Sequence, residues 1–191
     1  MKFSWIAIMS LVLLTGACSN GSAPPADLER VATIKDIMDS MVDPSGDFLF
    51  DSVAEIADET GITHKAPHSD DEWKEVRRRA MVLFEAPNLL AMDGRKVALT
   101  GEKAENPSVE LEPEQIQALV DADRAAFIRR ARRLQNAAGM ALKAIDAKNT
   151  DDLFHAIEAI DQACENCHLH YWYPNDQRAQ EAARDSGLVI D

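Results

Sequence analysis

The sequence predicts an all-α protein that folds as an antiparallel four-helix bundle. Apolar side chains recur every three or four residues through several long stretches of the 191-residue chain, which is the period of one helix face. No run of alternating β-branched residues is long enough to predict a strand. Most connections between the periodic stretches are short, and short connections favour antiparallel neighbours.

The first predicted helix begins near Ala26, is interrupted at Pro44 and Gly46, and resumes over residues 48–57, because proline and glycine both weaken a helix interior. The other three helices are expected at residues 69–87, 116–145 and 149–174. Acidic residues at the start of the second and fourth helices favour the positive end of the helix dipole. Residues 92–113 form a polar connection that is long enough to fold over another part of the molecule.

The N-terminal residues have the pattern of an export signal. Residues 1–17 combine an early lysine with an apolar run too short to span a bilayer, which predicts a secretory signal peptide. Cys18 follows small residues as in a bacterial lipobox, so we expect lipid on Cys18; the alternative is a signal peptide cut elsewhere and a free thiol. Residues 18–27 would be a flexible tether and residues 28–191 the bundle. The predicted location is the periplasmic side of the outer membrane, because Ser19 follows the cysteine.

The net charge of −13 at neutral pH limits the classes of partner. Nucleic acid is not expected, because phosphate contacts need a basic surface. Partner proteins are expected to present basic docking surfaces. Arginines at positions 77–79, 129, 130, 132 and 133 are expected on solvated helix faces, with pairing to an anionic group as the alternative.

The segment Cys164-Glu165-Asn166-Cys167-His168 carries the chemistry of the chain. Cys-x-x-Cys-His is the attachment pattern of a c-type haem. On a helix, Cys164 lies one turn from both Cys167 and His168, so the three side chains face the same way. Both sulfurs can then bond neighbouring vinyl groups while the His168 imidazole binds the iron. The sequence therefore predicts one covalent haem c.

Three other interpretations of this segment remain open. A thioredoxin-like redox pair normally follows a strand in a βαβ unit, whereas these cysteines are near the end of a helical chain. A zinc site would use both cysteines with His168 and His170, although four ligands within seven residues strain a tetrahedral site. A disulfide between Cys164 and Cys167 would distort the helix.

The second axial ligand is not decided by the residues alone. Met38 and Met41 lie one turn apart on the first helix, and a methionine sulfur is a haem ligand that raises the reduction potential. Methionines at this spacing more often fill a core. His64, His68 and His155 are expected at the surface.

These features resemble the class II c-type cytochromes, which comprise cytochrome c′ and its low-spin relatives. The resemblance covers most of the chain after Cys18, and its specific part is residues 164–171, where Tyr171 follows the haem histidine by three. Low-spin members bind iron through a methionine of the first helix, so the resemblance implies Met38 as the ligand, with Met41 as second choice. Many class II members are dimers, which makes a homodimer a candidate assembly.

Electron transfer through a haem ligated by His168 and Met38 is the function that the resemblance implies. A haem without a vacant axial site changes little between oxidation states and so exchanges electrons readily. The alternatives are gas binding or sensing at a five-coordinate haem, and a structural lipoprotein in which haem is incidental. Trp172 stands where class II members usually have Arg or Lys, so their gas-binding behaviour is not carried over. No enzymatic activity is expected, because the sequence has no separate set of acid, base and nucleophile.

Overall fold

The structure is a computed structural model that describes residues 28–59 and 61–188, and most of these residues are helical. The elements are, in chain order, α1 (Ile34–Ile37), a π-helical turn (Met38–Val42), α2 (Asp43–Phe50), β1 (Ala54–Asp58), β2 (Gly61–Lys65), α3 (Asp70–Leu90), α4 (Pro113–Ala122), α5 (Arg124–Asp146), α6 (Thr150–Tyr171) and α7 (Gln177–Asp185). The expectation of an all-α chain is confirmed, apart from one short hairpin. The predicted signal peptide (residues 1–17) and tether (residues 18–27), with Cys18, lie outside the described residues.

Helix α5 packs against both α3 and α6. Helices α3 and α5 run antiparallel, because Arg77 near the start of α3 pairs with Asp146 at the end of α5 (Nε–Oδ1 2.8 Å), while Gln135 donates to the Phe84 carbonyl further along (2.8 Å). Residues 147–149 alone separate α5 from α6, so this pair is also antiparallel. The segment from α1 to α2 lies against α3. The largest side chains that are fully buried in the resulting core are Ile37, Leu49, Leu83, Leu153, Ile160 and Leu169.

The predicted starts of two helices are confirmed. Ser69 caps α3, because its side chain accepts from the Glu72 N–H (3.2 Å). Asn149 caps α6 by accepting from the Asp152 N–H (3.1 Å). Helix α3 continues through Pro87 to Leu90, three residues beyond the predicted end.

The predicted start of the first helix near Ala26 is wrong for the described part of the chain, since residues 28–33 are not helical. Thr33 is the N-cap instead: its Oγ1 accepts from the Asp36 N–H (3.0 Å) and the Asp36 carboxylate accepts from the Thr33 N–H (2.8 Å). This reciprocal pair satisfies two of the N–H groups that a helix start leaves free. The helix therefore begins at Ile34.

Residues 92–113 hold the start of α1 in place. The carbonyls of Lys96 and Val97 accept from the N–H groups of Ile34 (2.8 Å) and Lys35 (2.9 Å). Arg95 is buried, and its guanidinium donates to the carbonyls of Leu89 (2.7 Å) and Ala32. The contacts of residues 95–97 thus fix the position of α1.

Pro44 does not interrupt the helical path as predicted. A proline lacks an N–H, and in an α-helix its ring meets the carbonyl four residues earlier, which here belongs to Ser40. The chain widens into the π-helical turn at this point, where the Asp43 N–H bonds to the Met38 carbonyl. Pro44 then lies in the first turn of α2, where its missing N–H leaves no bond unmade. Helical backbone therefore runs continuously from Ile34 to Phe50.

Residues 54–65 form an antiparallel hairpin, with Ile56 opposite Thr63 and Asp58 opposite Gly61. The expectation of helix over residues 48–57 is wrong beyond Phe50, and so is the expectation that the chain has no strand. Every residue of β2 is exposed, so the strand has no buried face and its sequence lacks the alternation that marks one. Gly61 has a φ of +132°, which a residue with a side chain rarely adopts.

The third predicted helix, at residues 116–145, is two helices in the structure. Asp123 leaves the helical conformation (φ −140°, ψ 74°), and its side chain accepts from the Ala126 N–H (2.8 Å) as the cap of α5. An aspartate can compete in this way for backbone donors. Helix α7 was not predicted, although Asp176 caps it. Helix α6 ends at Tyr171, three residues before Pro174.

Candidate functional site

The rotation of α6 brings the Cys-x-x-Cys-His segment to a cleft. Asn166 is buried, and Arg133 of α5 donates to its Oδ1 (3.1 Å). Leu169, one turn later, is also buried. With these two side chains turned into the core, Cys164, Cys167 and His168 lie half-buried along the cleft wall, so the prediction that they share one face is confirmed.

The cleft consists of two adjoining cavities of about 330 Å³ and about 40 Å³. The larger volume falls in the range of small-molecule sites in proteins. The two cavities share a set of lining residues: Met38, Asp43, Phe127, Cys167 and His168. Cys164 lines the smaller cavity, beside Leu134 and Ala163. Apolar side chains of α4 and α5, among them Ile116 and Val120, line the larger one.

The two candidate methionines are placed differently. Met38 lines both cavities of the cleft together with His168. Met41 packs against the core and is absent from the lining of either cavity. Met38 is the first residue of the π-helical turn, and π-turns are frequent at functional sites. Of the two, only Met38 therefore shares the cleft with the imidazole.

His168 has a chain of polar partners on its Nδ1 side. The Nδ1 atom lies 3.2 Å from the Tyr173 hydroxyl oxygen, and that hydroxyl donates to Glu165 Oε1 (2.8 Å). The backbone turns sharply here, because the N–H groups of Trp172 (2.7 Å) and Tyr173 (3.0 Å) both bond to the His168 carbonyl. The Tyr173 ring consequently lies beside the imidazole, with 5.6 Å between the ring centroids.

The protonation of these partners follows from their contacts. The His168 imidazole holds the pKa of the Glu165 carboxyl below its ordinary value; the Tyr173 hydroxyl adds to this effect and partial burial opposes it. Burial and the hydrogen bond to Glu165 raise the pKa of the Tyr173 phenol. At neutral pH Glu165 is therefore an anion and Tyr173 is a neutral phenol that can donate.

Cys164 and Cys167 are free thiols in the structure. Burial, with smaller contributions from Cys167 and nearby carboxylates, raises the pKa of Cys164 to about 12. Burial raises the pKa of Cys167 to about 11, although Arg130 opposes the shift. Catalytic redox pairs depend on a lowered thiol pKa. This site has the opposite property, which disfavours a thioredoxin-like role.

Arg130 is a buried cation at the cleft. Its side chain lines the smaller cavity and is 5% exposed. One Nη atom lies 3.2 Å from His170 Nδ1, and the guanidinium carbon lies 5.5 Å from the centre of the Tyr171 ring. The Arg130 Nε and the Tyr171 hydroxyl are both buried without a hydrogen-bond partner. Such orphaned groups indicate a missing acceptor, because leaving a donor unpaired costs about 1–3 kcal/mol.

The larger cavity has an acidic lining. Asp39 and Asp43 line it from the helical segment, and Glu105 and Glu110 line it from the connection. Lys35 pairs with Glu105 (Nζ–Oε1 3.0 Å). The connection is joined to the end of α6 by a hydrogen bond from the Leu111 N–H to the Trp172 carbonyl (2.8 Å). The 92–113 connection therefore covers one edge of the cleft.

The remaining histidines do not line the cleft. His64 lies on β2 beside Glu55 (3.3 Å), and His155 lies exposed beside Glu158 (3.1 Å). His68 precedes α3 and is exposed, so the expected surface position is confirmed for all three. His170 turns toward Arg130 rather than toward the thiols. Within residues 28–59 and 61–188, no group of three or more His, Cys, Asp or Glu side chains is arranged to hold a metal ion directly.

Comparison with protein families, characterised proteins and solved structures finds no match to this chain. The class II resemblance therefore stays an expectation from the motif. Among the described residues, no helix is long and apolar enough to cross a bilayer.

Two functional candidates, Tyr173 and Glu165, were missed from the sequence, and a third, Arg130, was expected on a solvated helix face but is buried. Tyr173 lies five residues after His168 and beyond the helix end, so no helical spacing predicts its contact with the imidazole. Glu165 occupies a variable position of the motif and has no distinguishing pattern. Arg130 was one arginine in a run, and only its burial separates it from the exposed Arg129 next to it.

The raised pKa values of the two thiols predict slow alkylation of the folded, haem-free protein. At pH 8, iodoacetamide should modify Cys164 and Cys167 at least about 100-fold more slowly than in the urea-unfolded chain, because only the thiolate reacts. Peptide mass spectrometry of quenched time points gives the rate at each cysteine. Equal rates in the folded and unfolded chains would contradict the burial described here.

Proposed function

We propose that this protein is a monohaem c-type cytochrome that transfers electrons, with the main helices arranged as an antiparallel four-helix bundle. The observation that carries the proposal is the meeting of two separate parts of the chain at one cleft. Cys164, Cys167 and His168 line it from α6, and Met38 lines it from the π-helical turn. Two thiols, an imidazole and a thioether are together the donor set of a covalently attached haem with two axial ligands.

The thiol groups are suited to attachment. Each S–H would add across one vinyl double bond, with sulfur bonding to one carbon and the hydrogen going to the other, so no oxidant or reductant is consumed. Because both thiols have raised pKa values, they are poor nucleophiles unaided at neutral pH. This is consistent with attachment by a dedicated export-side machinery rather than with spontaneous reaction.

The orphaned donors of the cleft support an occupant that carries acceptors. Arg130 Nε and the Tyr171 hydroxyl would each gain a partner from an acceptor on the occupant, and haem carries two carboxylates. A buried guanidinium beside the cleft would also favour the reduced state of an occupant that takes up an electron, since opposite charge stabilises added negative charge. These residues therefore fit the proposed group.

Bound at this site, haem would supply an iron that alternates between two oxidation states. His168 and Met38 are the residues that would hold the iron, since both line the two cavities of the cleft. A thioether ligand raises the reduction potential. These properties favour an electron carrier over an enzyme.

The acidic lining of the larger cavity supports basic redox partners. Asp39, Asp43, Glu105 and Glu110 line that cavity, and the whole chain has a net charge of −13. Charge of one sign around a site steers partners of the opposite sign and raises the rate of association, and salt screens this effect. A homodimer, which the class II resemblance also suggests, stays a prediction.

Gas binding at a five-coordinate haem is the second candidate. The specific observation in its favour is the apolar wall of the larger cavity, to which Ile116, Val120 and Phe127 contribute. Such a wall would admit a small apolar ligand if Met38 did not bind the iron. The spectrum of the Met38 variant distinguishes the two candidates.

Covalent attachment predicts a haem stain that survives denaturation and electrophoresis of the wild-type protein. The stain should be lost completely from the Cys164→Ala/Cys167→Ala variant, because both thioether bonds are removed. The protein would be produced in a host that carries out haem c maturation, with immunoblotting as the loading control. A stain that persisted in the double variant would refute thioether attachment.

Ligation by Met38 predicts a sulfur-to-iron charge-transfer band in the ferric wild-type protein. Met38→Ala should remove the band and lower the reduction potential, because the iron loses its thioether ligand. Met41→Ala is the matched control and should keep the band, since Met41 does not line the cleft. A high-spin spectrum that is identical in the wild type and the Met38→Ala variant would exclude this ligand and favour gas binding.

Lipid on Cys18 would anchor the protein to the periplasmic side of a bacterial membrane, with outer-membrane sorting from Ser19. Intact-mass and N-terminal peptide spectra of detergent-extracted protein should show a mature chain that begins at Cys18 and carries acyl groups. In a Cys18→Ser variant the acyl mass should be absent and the protein should appear in the soluble periplasmic fraction. A wild-type chain with an unmodified Cys18 would disprove the anchor.

A further inference from the structure

We infer that Tyr173 and Glu165 are positioning residues for His168, joined to it in a hydrogen-bonded chain that sets the electron density of the imidazole. The inference rests on the proposed function, in which His168 binds iron. It concerns the partners of the imidazole nitrogen that does not bind the iron, which the Cys-x-x-Cys-His motif does not specify.

The chemistry of the groups defines the direction of each hydrogen bond, because the Glu165 carboxylate can only accept. The Tyr173 hydroxyl donates to Glu165 Oε1 at 2.8 Å, so its oxygen has lone pairs left to accept from His168 Nδ1 at 3.2 Å. Glu165 Oε1 itself lies 3.7 Å from Nδ1, which is too long for a direct hydrogen bond. The phenol is therefore the bridge between the imidazole and the carboxylate.

This arrangement selects one form of the imidazole. When Nδ1 carries the proton and donates to the phenol, the lone pair belongs to Nε2, which is then the atom available to a metal. The nitrogen that binds a metal is set by the hydrogen bond that the other nitrogen makes. The ring of Tyr173 also lies against the imidazole, with an angle of 57° between the two planes, and this contact restricts rotation of the ring.

Two constraints hold the chain of hydrogen bonds together. Glu165 lies three residues before His168 on α6, so the helix places both side chains on the same side. Tyr173 is returned to this side by the turn after Tyr171, in which its N–H bonds to the His168 carbonyl (3.0 Å). All three side chains are half-buried, so water competes only partly for the hydrogen bonds.

A carboxylate behind the phenol makes the imidazole a stronger electron donor. Partners of this kind on a metal-bound histidine raise the basicity of the ligand. A more basic ligand stabilises ferric over ferrous iron, so the chain of hydrogen bonds would lower the reduction potential. This opposes the effect of the Met38 thioether, and the balance of the two would set the potential of the site.

The test is the reduction potential of the Tyr173→Phe holoprotein, measured by spectroscopic titration. Phenylalanine keeps the ring and the net charge and removes only the bridging hydroxyl. Loss of an outer-shell partner typically changes metal affinity or activity by about 10- to 100-fold. At the lower end of that range, we expect the preference of the site for ferric over ferrous iron to fall about tenfold. For a one-electron couple this is a shift of about 59 mV to more positive potential. An unchanged potential in this variant would overturn the inference.

Glu165→Gln provides a second route to the same question and keeps a side chain of similar size. It should shift the potential in the same direction. Glu158→Gln is its matched control, because Glu158 also lies three residues from a histidine on α6 but pairs with the exposed His155; its potential should stay that of the wild type. If Tyr173→Phe does not mature, equal potentials for the two glutamine variants would overturn the inference.

The haem stain of the wild-type protein separates this inference from the proposed function. A wild-type chain without covalent haem would overturn both. Stained variants whose potential equals that of the wild type would leave the cytochrome proposal in place and remove the assigned role of Tyr173 and Glu165.

Discussion

The close packing of α5 against α3 and α6 is the contact on which the rest of the structure depends. The face of α5 that these helices cover carries small side chains, and the buried alanines are at positions 131, 137, 138, 141 and 144. Small side chains at a contact allow helix axes to approach closely. An added Cβ at Gly139 would be in ordinary van der Waals contact with the Phe84 ring, at 3.4 Å. Because α6 is held closely to α5, it cannot rotate freely, and its rotation decides which side chains reach the cleft.

The two variable residues of Cys-x-x-Cys-His are structural in their own right. Asn166 turns into the core and contacts Arg133, whereas Glu165 turns outward and accepts from Tyr173. One residue therefore fixes the rotation of the helix, and the other contacts the partner of His168. Each of the four consecutive residues 164–167 therefore has different surroundings, although the motif is usually described by its cysteines and histidine alone.

Opposite charges line the two cavities of the cleft. Three carboxylates line only the larger cavity, the buried Arg130 lines only the smaller one, and Asp43 lines both. A buried charge without an ionised partner is costly, by several kcal/mol after relaxation, so Arg130 is stabilising only when an acceptor or a polarisable ring faces it. The contact with the Tyr171 ring at 5.5 Å supplies part of this stabilisation. In the proposed cytochrome, the carboxylates of the larger cavity would guide a basic partner. The Arg130 guanidinium would stabilise the added electron.

The sequence by itself determined the helical class, the caps at Ser69 and Asn149, and the one-turn spacing of Cys164, Cys167 and His168. These features are local, because periodicity, capping and spacing operate within a few residues of each other. It did not determine the π-helical turn, because a proline in a helical pattern is compatible with a break or with a widened turn. The exposed hairpin was also missed, since a strand with no buried face leaves no alternation in the sequence.

Only the tertiary structure decided which methionine lines the cleft together with His168 and which arginine is buried. Met38 and Met41 have the same chemistry and lie one turn apart. The carbonyls of Lys96 and Val97 hold the first helix in position, and only this position places Met38 in the cleft. Tyr173 reaches His168 because the chain reverses after α6. Contacts of this kind depend on how distant segments pack, and no rule of sequence spacing encodes them.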